Sequence, residues 1–223
     1  MKIIKPSFEI LTQNLNREDL TTLRLIERAG RTCYKSEENI NDDSAIGFVG
    51  ARLHEDHHES IIEHSSLTVK FICDRGVSHE LVRHRLASFS QESTRYCNYT
   101  KGRHDHQLTF IQPNWISDKD VDNYSKSYDT MSIIEPARIW LEFMEKAEEA
   151  YLDLIDLGWN PEQARSVLQN SLKTEIVVTA NFREWRLIFK QRTSEKAHPQ
   201  MRELMVPLLE EIRSKIPVIF DNL

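Results

Sequence analysis

The run Arg83-His84-Arg85-Leu86-Ala87-Ser88-Phe89-Ser90-Gln91-Glu92-Ser93-Thr94-Arg95-Tyr96 sets three guanidinium groups beside a segment of hydroxyls and amides. Guanidinium stays charged at any working pH and meets phosphate oxygens as a fork, while imidazole adds a donor or a stacking face. The chemistry this spacing supports is recognition of a phosphate or pyrophosphate. From Arg75 to Arg103 the cations Arg75, Arg83, Arg85, Arg95, Lys101 and Arg103 meet only Glu80 and Glu92, so a positive segment sits in a chain of formal net charge −6. That pattern suits a small polyanion. Binding long nucleic acid requires many phosphates to be neutralised, and the overall charge argues against it.

A pyrophosphate is most often held by a glycine-rich turn at a helix N-terminus. This chain has six glycines and no Gly-x-Gly, so neither a Rossmann fingerprint nor a P-loop is available and side chains must hold any nucleotide. His54, His57, His58, Glu59, Glu63 and His64 invite a metal reading, but its spacing fails. The zinc-protease pattern needs histidine where Ile62 stands, and the reversed pattern needs it where Ser60 stands, so no metal is expected. Glu63 and His64 read either as a satisfied structural pair or as functional residues. Cys33, Cys73 and Cys97 are odd in number and form no Cys-x-x-Cys, which supports neither a disulfide framework nor a zinc ribbon and fits a reducing cytoplasm. Cys97 lacks any pattern marking a nucleophile and reads as a structural thiol. Ser93 has no identifiable general base beside it and reads as a substrate-binding hydroxyl.

These groups need elements to carry them. Ile3 to Leu11 reads as a short strand. Asn16 suits a helix cap, and Leu20, Leu23, Ile26 and Ala29 recur at helical spacing up to Gly30, whose missing side chain suits a stop. Ser44 to His54 reads as helix. Leu67 to Cys73 alternates like a strand, and Ser78 suits the cap of a helix through Leu81, Val82 and Leu86. Arg83-His84-Arg85 then lies near a helix end, with Ser88 to Tyr99 as the loop beyond it. Leu108 to Ile111 is a weak strand, and Asp118 to Ser127 a loop or irregular helix. Ile139, Phe143, Ala147, Ala150, Leu154 and Leu157 mark one face of a long amphipathic helix ended by Gly158. Asn160 and Pro161 take the cap and first position of a helix that carries Arg165. Glu175 to Ala180 is a β-branched strand that delivers Asn181 to the loop at its end. The remainder reads as mostly helical, with Pro199, Pro207 and Pro217 as starts, kinks or stops.

No repeat or linker interrupts this pattern, so residues 1–223 read as one domain with a continuous core. Met1 to Pro6 is too short and interrupted for a signal sequence, and no apolar run approaches the ~20 residues that span a bilayer. A cytoplasmic protein without membrane contact is expected.

Arg-His-Arg followed by seven residues and Ser, filled by Arg83, His84, Arg85 and Ser93, resembles the signature of flavin-dependent thymidylate synthases. The likeness extends to His58-Glu59-Ser60 and Glu63-His64 upstream and to Arg165, Asn181, Arg183 and Arg192 downstream. It implies an α+β fold with a central, mostly antiparallel sheet flanked by long helices, and a homotetramer whose active sites are shared between subunits. It also implies reductive methylation of dUMP to dTMP, with 5,10-methylenetetrahydrofolate as carbon donor, FAD as redox cofactor and NADPH as reductant. By the same match, Glu80, Arg83, Gln91, Glu92, Ser93, Thr94, Arg95, Arg165 and Arg192 serve dUMP. Ser60, Arg83, His84, Arg85, Gln91, Asn181, Phe182 and Arg183 serve FAD, and His58 lies close to flavin and folate. Arg192 takes the catalytic place, because a fixed guanidinium at the N3/O4 side of uracil stabilises the charge that develops as electron density is pushed onto C5. Two positions depart from the family pattern. Glu80 stands where many members have Gln, and Leu187 where an Asn or His commonly reaches the flavin. A competing reading is a single-strand-binding module that stacks bases on Phe89, Tyr96 and Tyr99. The acidic net charge and the matched downstream arginines count against it.

Overall fold

The computed structural model describes residues 1–13, 15, 20–101, 106–126 and 133–223. Its chain divides into two compact units, one made of Met1–Ser7, Ile72–Leu81 and Ser90–Ile176, the other of Phe8–Phe71, Val82–Phe89 and Val177–Leu223.

In the first unit, β1 (Lys2–Ile4) pairs in parallel with β5 (Thr109–Ile111). Helices α3 (Arg75–Leu81), α4 (Asp118–Lys126), α5 (Glu135–Asp156) and α6 (Pro161–Ala164) belong to the same unit. Its core gathers Tyr99, Leu108, Phe110, Met144, Ala147, Tyr151, Ala164 and Leu172. Gly158, at φ 98°, ends α5 as its residue type predicts: the Gly158 amide donates to Ile155 and that of Trp159 to Leu154, the paired bonds that satisfy the last carbonyls of a helix. Asn160 and Gln163 then form a reciprocal capping box at the start of α6, with Pro161 in the first turn. A 3₁₀ turn, Arg165–Val167, follows and carries Arg165.

The second unit holds α1 (Thr21–Tyr34), α2 (Ser44–Gly50) with a π turn through Glu55, a 3₁₀ turn at Glu59–His64, α7 (Phe182–Arg192), α8 (Pro199–Lys215) and α9 (Pro217–Phe220). Strands β2 (Ser7–Ile10), β3 (Ser66–Asp74), β6 (Lys173–Asn181) and β4 (Ala87–Gln91) make a sheet in that order. The Thr68 and Thr179 hydroxyls meet at 2.9 Å and the Phe182 amide donates to Ser65 at 3.0 Å, so β3 and β6 run in opposite senses, as expected for the α+β class. Burial alternates along both strands, with Leu67, Val69, Phe71 and Cys73 buried in one and Thr174, Ile176, Val178 and Ala180 in the other. Trp185 of α7 anchors the helix: its ring lies 5.4 Å from Phe189 and 6.5 Å from Phe71, and its indole donates to the Leu67 carbonyl.

Several sequence expectations change. The strand from Ile3 to Leu11 is two strands in two sheets, broken at Pro6, which has no amide to offer a ladder. Gly30 does not stop α1, which runs on to Tyr34 and ends at Lys35 in the left-handed region, φ 49°. Gly30 is instead a place of close approach, since a Cβ there would lie 2.7 Å from the Phe48 ring. The Asn16 cap lies outside the described residues. Asp74, not Ser78, caps α3, accepting from the Val77 amide at 2.7 Å, and the helix ends before the Arg-His-Arg group. The segment beyond is partly strand β4, not all loop, and Asp118 begins a regular helix. On α5 the apolar stripe is displaced: Ala137, Leu141, Met144 and Tyr151 are buried, while Ile139 and Phe143 are about half exposed. The helix has two apolar faces, and periodicity alone does not say which one meets the core.

Candidate functional site

In the second unit, the Arg-His-Arg group lies between α3 and β4 and divides by burial. Arg83 and Arg85 are exposed, whereas His84 keeps 6% of its surface. The Arg192 Nε donates to His84 Nε2 at 3.0 Å, and His84 Nδ1 stands 3.6 Å from Glu184 Oε1. Burial, then the Arg192 charge, lowers the imidazole pKa to about 4, so the ring is neutral near pH 7. Burial also pushes the Glu184 carboxyl up.

The same unit contains a cavity of about 1020 Å³ along α7, lined among others by Asn181, Arg183, Leu187, Lys190 and Ser194, with Leu86, Glu59, Glu63, Glu184 and Arg186. Small-molecule sites run roughly 300–1,000 Å³, so its size suits a large ligand. Asn181 is the N-cap of α7 rather than a loop residue; its side chain accepts from the Glu184 amide at 2.8 Å. Arg183 is held by Glu63 at 2.6 Å and by Glu59 at 3.6 Å. Glu63 is thus a satisfied partner, but of Arg183 and not of His64. The Phe182 ring is core, 5.7 Å from Phe220. Ser60 lies exposed in the 3₁₀ turn. Leu187 lines the cavity as an apolar surface. Sequence reasoning missed Glu184, Arg186 and Lys190 as lining; part of the signal was available in α7, where 183, 187 and 190 recur at helical spacing.

His58 accepts from or donates to the Tyr34 hydroxyl at 2.9 Å through Nδ1, and the Arg52 guanidinium sits 5.3 Å from the Tyr34 ring centroid. His54 Nε2 meets the Val218 carbonyl at 2.8 Å.

Of the residues assigned to dUMP, Gln91 to Arg95 and Arg165 lie in the first unit, whereas Arg83 and Arg192 belong to the second. The Arg165 guanidinium donates to the buried Thr94 hydroxyl at 3.5 Å, joining residues far apart in sequence. Arg95 reaches Glu162 at 3.5 Å and lies over the Tyr96 ring. Ser93 shapes the turn: its carbonyl accepts from the Tyr96 and Cys97 amides and its hydroxyl from the Arg95 amide. Gln91 donates to Ser78 at 2.9 Å and to Thr174 at 3.2 Å, which leaves its carbonyl oxygen as the group with capacity for a ligand. Glu92 turns inward. Lys173 binds it at 2.9 Å while also holding Glu175, and the Tyr99 hydroxyl donates to it at 3.4 Å. Burial works against the Lys173 ammonium, yet its two carboxylates outweigh that and raise its pKa. Burial and Glu92 together push the Tyr99 phenol up. Glu80 lies in the last turn of α3, half-buried. Cys73 is buried, Cys33 exposed, and Cys97 partly buried against the Tyr99–Tyr151 cluster.

A model of the family described as thymidylate synthase complementing protein matches residues 15–218. The flavin-dependent thymidylate synthase of Corynebacterium aurimucosum is 34% identical over 207 residues, spanning 89% of this chain and 78% of that one. The Pyrococcus furiosus enzyme of the same name is 32% identical over 199 residues, 89% of this chain and 75% of that one. The chain therefore belongs to the flavin-dependent thymidylate synthase family. Among solved structures, the fold is similar to the UMP/dUMP methylase PolB of Streptomyces cacaoi bound with 5-Br dUMP (TM-score 0.74, 21% identity, 99% of this chain and 96% of that one). It is also similar to Thymidylate Synthase X of Helicobacter pylori with FAD and dUMP (TM-score 0.70, 19% identity, 97% and 98%).

Proposed function

We propose that this chain methylates dUMP to dTMP as an FAD-dependent thymidylate synthase, with 5,10-methylenetetrahydrofolate as carbon donor and NADPH as reductant. The observation that carries the reading is the convergence of Ser93, Thr94, Arg95 and Arg165, separated by about seventy residues yet joined through the Thr94–Arg165 hydrogen bond. Two exposed guanidinium groups beside hydroxyls suit a nucleotide monophosphate, with Arg95 and Arg165 on phosphate and Gln91 and Ser93 on the sugar.

The donor set of the α7 cavity fits a flavin dinucleotide: apolar Leu86 and Leu187 can meet a ring system, while Asn181, Arg183 and Lys190 offer hydrogen-bond donors. Its three carboxylates balance its three cations, so a pyrophosphate calls for more charge than the cavity supplies. Exposed Arg83 and Arg85 are the groups that would provide it. When bound, FAD would carry reducing equivalents from NADPH to the transferred carbon. The protein's part is positioning and electrostatics. Arg192 would stabilise negative charge at the N3/O4 edge of uracil, and His58 is the residue assigned to the flavin and folate. A homotetramer with shared sites would cover the apolar side chains that α5 leaves exposed at Ile139 and Phe143. A cytoplasmic enzyme without membrane or nucleic-acid partners completes the reading; among the described residues no helix is long and apolar enough to cross a membrane.

Purified protein should be yellow, and should form dTMP only when dUMP, methylenetetrahydrofolate and NADPH are all present. A folded, flavin-loaded protein that oxidises NADPH but makes no dTMP would overturn the methylation.

A further inference from the structure

The Arg-His-Arg group reads in sequence as three equivalent cations or donors aimed at one ligand. Its geometry divides the labour. Arg83 and Arg85 face solvent, while His84 between them is buried and engaged by Arg192 from the far end of α7. We infer that His84 is a positioning residue for Arg192, its unprotonated Nε2 fixing the guanidinium from the Nε side while Glu184 Oε1 faces the opposite ring nitrogen. The inference rests on the assignment of Arg192 to the uracil edge.

The direction of the hydrogen bond carries the argument. Guanidinium has donors and no acceptor, so an Nε–H at 3.0 Å requires a bare lone pair on His84 Nε2. The ring proton must then sit on Nδ1, which faces Glu184 Oε1 at 3.6 Å. An imidazolium, with protons on both nitrogens, would set N–H against N–H and repel the arginine. Burial and the neighbouring positive charge favour the neutral ring by the same logic. Arginine has a long, rotamer-rich stem, and fixing it through Nε sets the plane of the fork before a ligand arrives. Charge stabilisation of this kind is effective only where the donor is already aimed.

His84→Leu removes the acceptor with little change in volume, and His84→Gln retains a carbonyl oxygen near the position of Nε2. In the full, FAD-loaded chain, His84→Leu should lower kcat about 10- to 100-fold, the scale set by misplacing one catalytic group, with flavin content unchanged. His84→Gln should recover most of that loss, and neither substitution should add to the defect of Arg192→Ala. Ring-nitrogen NMR of the unsubstituted chain near neutral pH should show His84 neutral with its proton on Nδ1. Loss of flavin from both His84 variants would overturn the inference in favour of a cofactor contact, as would wild-type kcat in His84→Leu or additive losses with Arg192→Ala. If His84→Leu does not fold, a cycle of His84→Gln with Arg192→Lys decides: coupling between the two losses supports positioning, and independence overturns it. The NMR result separates the two levels of the argument. A wild type that makes no dTMP yet shows the Nδ1–H tautomer, perturbed by Arg192→Lys, sinks the proposed reaction and supports the His84–Arg192 geometry. A protonated or Nε2–H ring sinks that geometry whatever the activity.

Discussion

The turn around residues 91–97 and the cavity along α7 use similar residue types in opposite ways. In the turn, the internal polar groups are locked by buried partners: Gln91 on Ser78 and Thr174, Glu92 on Lys173 and Tyr99. The lock holds the backbone that displays Arg95 at the surface, and exposed Arg165 reaches the turn from the 3₁₀ turn after α6. Along α7 Arg183 and Lys190 are exposed while Glu184 and Arg186 are buried, and Arg183 is already engaged by Glu63 and Glu59. A ligand anion at the turn meets exposed cations on a braced frame; at the cavity it must compete with carboxylates. The same residue types thus serve as a brace in one place and as competing partners in the other.

Breaking the brace should have the largest effect. Lys173→Met would leave the buried Glu92 carboxylate with the Tyr99 hydroxyl but without its cation, and removing one partner of a buried ion pair costs about 3–5 kcal/mol. Urea unfolding should register that loss, and a drop below ~1 kcal/mol would show that the Glu92 carboxylate reaches water. Next, Arg83→Ala combined with Arg85→Ala should weaken FAD binding by at least about 100-fold, since each charge-assisted hydrogen bond contributes roughly 1.5–3 kcal/mol. Full flavin retention in the folded double variant would remove this pair from the cofactor site.

The third test concerns acid stability. His84 has its folded pKa near 4 against an ordinary 6.5, so the unfolded chain binds the additional proton first. Stability should fall as pH drops from about 6.5 towards about 4, with the loss complete below that. Glu184, across the ring, has a raised pKa and acts in the opposite sense, its protonation favouring the folded state in acid. His84→Gln should therefore flatten the acid limb of a stability–pH curve. An unchanged limb would mean that His84 protonates freely in the folded chain.

A smaller effect is expected from Glu63→Gln. Its pair with Arg183 is about half exposed, so stability should change little, while FAD affinity rises a few-fold as competition for Arg183 eases. Weaker flavin binding, measured by fluorescence titration, would make Glu63 a ligand contact instead. Least of all, Cys97→Ala should cost about 1 kcal/mol of packing and leave dTMP formation intact. If that variant keeps its flavin and fold but makes no product, the chemistry uses a thiolate.

Much of the frame was legible in one dimension because its determinants are local. Gly158, the Asn160–Pro161 start and the alternation of β3 depend on backbone geometry and nearest neighbours, and all stand where their residue types placed them. The family signature was legible too, since fixed spacing within one short segment survives translation into space. Other features depended on what arrives from elsewhere in the chain. Gly30 looked like a stop until Phe48 packed onto it, and the core face of α5 was one of two equally apolar stripes. The roles within Arg83-His84-Arg85 could not be separated by composition, because burial of the middle residue requires Arg192 and Glu184 on α7. Sequence by itself determined which groups could carry charge, donate or turn the chain. Tertiary structure decided which of them remain in water and which become one another's partners, because desolvation and hydrogen-bond direction exist only once distant segments have met.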